Sequence, residues 1–152
     1  MKTTETSVLA GQFAAAFPSI AGQLGPQNLG KLLDGAAVQE IAPGRTLIRD
    51  RMPVDFLYFV LDGELGAYIE QAGKSQRVGT VRPGEWLGEI SVLSGEMLAS
   101  AAITTDTSCL LMKIHHLSFE KLLAEEPAVA QVLLENFIDL MAKRLRASAV
   151  NA

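Results

Sequence analysis

Val81-Arg-Pro-Gly-Glu-Trp-Leu-Gly-Glu-Ile90 sets a Pro-Gly turn shortly ahead of a Gly-Glu pair, directly behind a series of short β-type runs. Two further turns precede it. Ile41-Ala-Pro-Gly-Arg-Thr-Leu-Ile48 holds Pro43-Gly44, and Asp55-Phe-Leu-Tyr-Phe-Val-Leu-Asp-Gly63 ends on Asp62-Gly63. Gly44, Gly63 and Gly84 stand at turn positions where a Cβ is costly. Asp-Gly between two β-type runs is a strong hairpin signal, because both central residues of such a turn tolerate positive φ.

Working outward, short strand candidates repeat at even intervals: Ala37–Ile41, Thr46–Ile48, Phe56–Leu61, Glu64–Glu70, Gln76–Val81, Ala99–Thr104 and Ser108–Ile114. Ala72-Gly73-Lys74 and Thr105-Asp106-Thr107 supply the remaining turns. Tyr58, Val60, Leu65 and Ile69 provide the alternating apolar faces. Many short strands at this spacing predict a barrel, jelly roll or sandwich rather than βαβ units.

The flanks read as helical. Residues 1–35 carry Val8, Leu9, Phe13 and Phe17 near helical spacing, interrupted by Pro18. Pro26 then starts a second pattern through Leu29, Leu32 and Leu33. Two short helices are expected there. Residues 117–152 hold a short helix, Phe119 to Ala124, capped by Ser118, and a longer one from Ala128 to about Arg146. On the longer helix Val129, Val132, Leu133, Phe137, Leu140, Met141 and Leu145 recur at spacings of three and four. Lys143, Arg144 and Arg146 gather at its end, where cations complement the helix dipole. The expected fold is mostly β with flanking α: a double-stranded β-helix, or jelly-roll-like β-roll, over residues 36–116, with N-terminal helices and a long C-terminal helix, all in one domain.

At 152 residues, 49% hydrophobic and 20% charged, the chain suits one globular domain with a real core. A net charge of −4 argues against a whole-surface nucleic-acid binder. Cys109 is the single cysteine, lies among apolar neighbours, and reads as a buried thiol. The first residues, MKTTETS, are polar and unlike a signal peptide, and no apolar run approaches the roughly 18 residues of a membrane span. No membrane insertion and a cytoplasmic location are expected.

The ordered turns, the strand spacing and Gly88-Glu89 together resemble the cyclic nucleotide-binding domain family, from about Ala36 to Arg146. The resemblance implies a catabolite-activator-type sensor fold without a DNA-binding domain. Gly88-Glu89 matches the opening of the family's phosphate cassette, in which the Glu binds a ribose hydroxyl and a short helix aims N–H groups at the cyclic phosphate. The segment 84–100 is the cassette-like stretch.

The chain departs from the family at the decisive charge. The family's phosphate-pairing arginine falls at Leu98, or at Ala99 with the longer spacing of some bacterial regulators. Pro83 through Met112 contains no lysine or arginine, while Glu85, Glu89, Glu96 and Asp106 lie within it. Gly88, Glu89, Leu98, Ala99 and Ser100 are therefore the candidate ligand-binding positions, with only Ser100 and backbone N–H groups left to meet a neutral or weakly anionic ligand. Arg45, Arg49, Arg77 and Arg82 read as solvent-facing.

Three classes of function follow. Catalysis finds no support: His115 and His116 are the only histidines, so a three-histidine metal site is arithmetically impossible, and no catalytic triad stands out. Direct DNA binding is not expected, since the sequence stops a few residues past the long helix, at Ala152. What remains is a non-enzymatic regulatory or interaction module that requires no cofactor, binds cAMP or cGMP weakly or not at all, and meets an unidentified protein partner. The alternative is a functional sensor of a cyclic nucleotide or related ligand, signalling through the C-terminal helix. That helix also offers a homodimer surface through Phe137, Leu140 and Met141.

Overall fold

A computed structural model of the chain describes residues 2–49, 54–88 and 101–150. Two helices, α1 (Lys2–Ala16) and α2 (Pro18–Asp34), lead into β1 (Ala36–Ile41), β2 (Thr46–Ile48), β3 (Phe56–Asp62), β4 (Leu65–Gln71), β5 (Lys74–Val81), β6 (Trp86–Leu87), β7 (Ala102–Thr105) and β8 (Cys109–His115). Helices α3 (His116–Glu125) and α4 (Pro127–Val150) follow. The strands form two four-stranded sheets, ordered β1-β8-β3-β6 and β2-β7-β4-β5, with antiparallel pairing throughout. This is a jelly-roll-like β-roll with flanking helices.

The first sheet separates two apolar cores, which explains a departure from simple alternation. Residues 57–61 of β3 are all buried. Leu57, Phe59 and Leu61 point into a core shared with the helices, while Tyr58 and Val60 point into the roll. On β8, Met112 and Ile114 join the helical core, and Cys109 and Leu111 join the roll. A sheet covered on both faces gives a continuous apolar run instead of an alternating one. Leu65 fills the roll interior as expected, whereas Ile69 is only half-buried. The second sheet has an open outer edge: residues 74–79 of β5 are exposed, Val78 included.

An aromatic chain ties the N-terminal helices to the roll and to α4. Phe13 stacks on Phe17 at 4.9 Å between ring centroids, and both meet the Phe59 ring edge-on, at 5.6 and 5.4 Å. Phe59 lies 4.8 Å from Trp86, and Trp86 packs against Phe137 of α4. Phe137 also meets Phe119 of α3 at 5.8 Å. Offset and edge-to-face rings of this kind add to the burial of their area.

Several local details differ from the sequence reading, each for a local reason. The N-terminal zone breaks twice, since Pro26 bars helical geometry at Gly25, which sits at φ 77° inside α2. The turn with two positive φ values is Ala72-Gly73 (54° and 76°), while at Asp62-Gly63 only Gly63 takes one. A Cβ on Gly63 would lie 2.8 Å from Cys109 Cα, so close approach of β8 also demands glycine there. Ser118 does not cap α3; the helix begins three residues earlier than expected, at His116, capped by His115. Helix α4 continues to Val150, so the basic cluster does not fall in its last turn and loses most of its dipole complement. Phe137, read as a contact residue for a second copy, is 1% exposed and belongs to the aromatic core. Among the described residues of α4, the exposed large apolar side chains are Leu134 and Ile138.

Candidate functional site

Strand β6 leads from the Pro83-Gly84 turn to Gly88. It is two residues long, pairing Trp86 with Phe59 and Leu87 with Tyr58, and the sequence reading absorbed it into the cassette. The Pro83-Gly84 turn ahead of it is clamped to β3, because Gly84 N–H donates to Val60 O and Val60 N–H donates to Glu85 O, at 3.0 and 2.9 Å. The Glu85 carboxylate accepts from Arg82 N–H at 2.8 Å and closes the turn.

Gly88 leaves β6 with φ 87°, and a Cβ there would sit 2.6 Å from Phe56 O and 3.2 Å from Val54 Cγ1. Left-handed backbone and contact with a neighbouring main chain both require glycine at this point. Of the candidate ligand positions, Gly88 is thus placed against β3 beside the roll interior. Glu89, Leu98, Ala99 and Ser100 lie outside the described residues.

The described part of the roll interior is lined by apolar side chains, among them Ile48, Val54, Val81, Leu87 and Ile103. Tyr58 also lies there, its phenol pushed up in pKa by burial and by the nearby Asp55 carboxylate. Cys109 is 1% exposed, and its thiol donates toward Glu64 O and Thr107 O, both at 3.4 Å. Burial is the main cause of its raised pKa, which makes it a poor nucleophile. Thr105 is the buried polar residue that closes the mouth of the Pro43-Gly44 turn: its hydroxyl donates to Ala42 O at 2.7 Å and accepts from Arg45 N–H at 2.9 Å.

Of the four arginines singled out from the sequence, two are engaged in ion pairs and two are exposed. Arg77 donates to both oxygens of Asp106 (2.6 and 3.1 Å), to Tyr68 Oη (2.9 Å) and to Thr80 Oγ1 (3.0 Å). Gly66 leaves the room for its guanidinium, since a Cβ there would lie 2.6 Å from Nη1. Arg82 pairs with Glu64 at 3.5 Å, and Arg45 and Arg49 are exposed. The Arg77–Asp106 pair was not foreseen from sequence, because it spans 29 residues and two separate turns of the roll. Neither residue type nor spacing signals such a contact.

The hydrogen bonds from Arg77 hold the Asp106 carboxyl below the ordinary aspartate range. Its folded-state pKa is depressed, so its contribution to stability is present above the unfolded value and is lost as pH falls below about 4. Carbon-detected NMR titration should give Asp106 a midpoint below that of a solvated aspartate, and Arg77→Met should raise it. An unchanged midpoint in Arg77→Met would show that the pair does not persist in solution.

A cleft of about 820 Å³ lies between α1 and α2, lined by uncharged residues including Ala10, Ala14, Ala21 and Leu29. It carries no cationic side chain for an anion. Among the described residues, no group of three or more His, Cys, Asp or Glu is placed to hold a metal ion, and no helix is long and apolar enough to cross a membrane.

The architecture is thus a β-roll of two antiparallel sheets, with Gly88 at the exit of β6 and helices at both ends. The family model for the cyclic nucleotide-binding domain matches residues 38–126. The chain belongs to the cyclic nucleotide-binding domain family. It is 24% identical over 128 residues to a cyclic nucleotide-gated potassium channel of Mesorhizobium japonicum, covering 84% of this chain and 34% of the channel. The chain spans between 24% and 34% of the length of the first curated relatives it matches, which include kinase regulatory subunits. Among solved structures, a cyclic nucleotide-binding domain from Methylobacillus flagellatus superposes with a TM-score of 0.80 at 21% identity, covering 91% of this chain and 81% of that one. The regulatory subunit of a cAMP-independent protein kinase A from Trypanosoma brucei, as a triple mutant with cAMP in its A site, gives 0.71 at 23% identity, covering 89% and 48%.

Proposed function

We propose that this domain is a non-enzymatic regulatory or interaction module, cytoplasmic, whose phosphate cassette is degenerate and which binds cAMP and cGMP weakly or not at all. One observation carries the reading: Pro83 through Met112 has no lysine or arginine. The engagement of Arg77 supports it, because its guanidinium already donates to Asp106, Tyr68 and Thr80. A charge-assisted contact to phosphate contributes about 1.5–3 kcal/mol, and each 1.4 kcal/mol is about tenfold in affinity. Loss of that contact takes a micromolar site to about 10–100 μM, and Glu85, Glu89 and Glu96 add repulsion. Calorimetry with cAMP and cGMP at ordinary salt is expected to give half-saturation no tighter than about 10–100 μM. Low-micromolar binding of either nucleotide would overturn the proposal.

A second reading, a working sensor that signals through α4, is favoured by a single contact. Trp86, two residues before Gly88, has its ring centroid 3.7 Å from that of Phe137, so a shift of the cassette is felt directly on α4. A homodimer through α4 would use Leu134 and Ile138, because Phe137 is committed to the core.

A further inference from the structure

The joint between β8 and α3 holds two histidines that play no part in the roll interior. His115, the last residue of β8, is the N-cap of α3, and its Nδ1 accepts a hydrogen bond from Leu117 N–H at 3.2 Å. Its ring lies against that of His116, with centroids 4.5 Å apart, and meets the Phe56 ring edge-on at 5.3 Å. His116 N–H donates to Asp55 O at 2.8 Å, anchoring the first residue of the helix to the segment before β3. His116 Nδ1 is shielded from solvent without a hydrogen-bond partner and faces Glu120 Oε1 at 3.7 Å, one turn along α3.

An imidazole nitrogen accepts a hydrogen bond only while it keeps its lone pair; in the protonated ring both nitrogens are donors. The cap at Leu117 therefore exists only with neutral His115. A cation at this position would also face the positive end of the α3 dipole. Glu120 on α3 faces His116 Nδ1, and the His116 ring lies against that of His115. On β8, Lys113 Nζ lies 4.7 Å over the same Phe56 ring that His115 touches and adds positive potential, while Asp55 offers His116 its carbonyl.

We infer that the β8–α3 joint is a pH-sensitive hinge: acidification breaks the His115 cap and loosens the first turn of α3 from the roll. The loss falls where the C-terminal helices attach, so it changes how α3 and α4 are held while leaving the sheets intact. Histidine is the side chain suited to make this change between about pH 8 and pH 5.

The test follows the Leu117 amide by NMR hydrogen exchange and the melting temperature from about pH 8 to about pH 5. In the unaltered chain, protection of Leu117 should fall about fivefold on acidification, the size expected from a lost cap. His115→Asn supplies a strong cap that does not titrate, so its Leu117 protection should stay flat. Its melting temperature should fall by about 2–4 °C less than that of the unaltered chain over the same range. His116→Gln should retain the Leu117 transition, since the cap belongs to His115. Flat Leu117 protection in the unaltered chain, or the same profile in His115→Asn, would overturn the inference.

Discussion

Leu98→Arg is expected to bind cAMP about ten- to hundredfold more tightly than the unaltered chain. The magnitude follows from one restored charge-assisted contact of about 1.5–3 kcal/mol, at about 1.4 kcal/mol per decade. The family spacing from Glu89 puts the phosphate partner at this position, and Gly88 holds the start of the segment against Phe56 O and Val54. Ala99→Arg tests the longer spacing of some bacterial regulators. Calorimetry at two salt concentrations reads the result, and the gain should shrink at high salt, as a partly exposed ion pair requires. No gain from either variant would mean that the pocket differs in more than its missing charge.

The largest expected loss of stability comes from Phe59→Ala. Phe59 is fully buried in a central strand, and its ring touches Phe13 and Phe17 from the N-terminal helices and Trp86 from β6. Truncating a buried phenylalanine costs about 3–5 kcal/mol, the transfer term plus the cavity left behind. Against a total of about 5–15 kcal/mol that is about a fifth or more of the folding free energy. At about 2–4 °C per kcal/mol, the melting temperature should drop by roughly 10 °C. Val78→Ala on the exposed strand β5 is the control and should change stability by less than about 0.5 kcal/mol. A loss below about 1 kcal/mol for Phe59→Ala would show that the helices and the roll do not share one core.

Much of the architecture was legible because it rests on local chemistry. Pro43-Gly44, Asp62-Gly63 and Pro83-Gly84 mark turns wherever they occur, and β1 to β5 and β8 lie within two residues of where alternation and turn spacing place them, while the expected start of β7 at Ala99 lies outside the described residues. The end of α1 near Pro18 and the start of α4 near Pro127 follow from the missing N–H of proline. Other features were not legible, because a partner distant in the chain decides them. The two-residue strand β6 exists only by pairing with β3. His115 replaces Ser118 as the cap because β8 runs on to the residue where the helix begins.

The sequence by itself determined the order of strands and turns, the lone buried cysteine, and the absence of any cation from Pro83 to Met112. Each of these is a property of residue type and spacing, so no folding is needed to read it. Only the tertiary structure decided that both faces of β3 are covered, that Phe137 belongs to an aromatic core instead of a free surface, and that Arg77 is spent on Asp106. Those outcomes depend on which elements lie across from one another. An apolar stripe or an arginine carries no local mark of what will face it once the roll has closed.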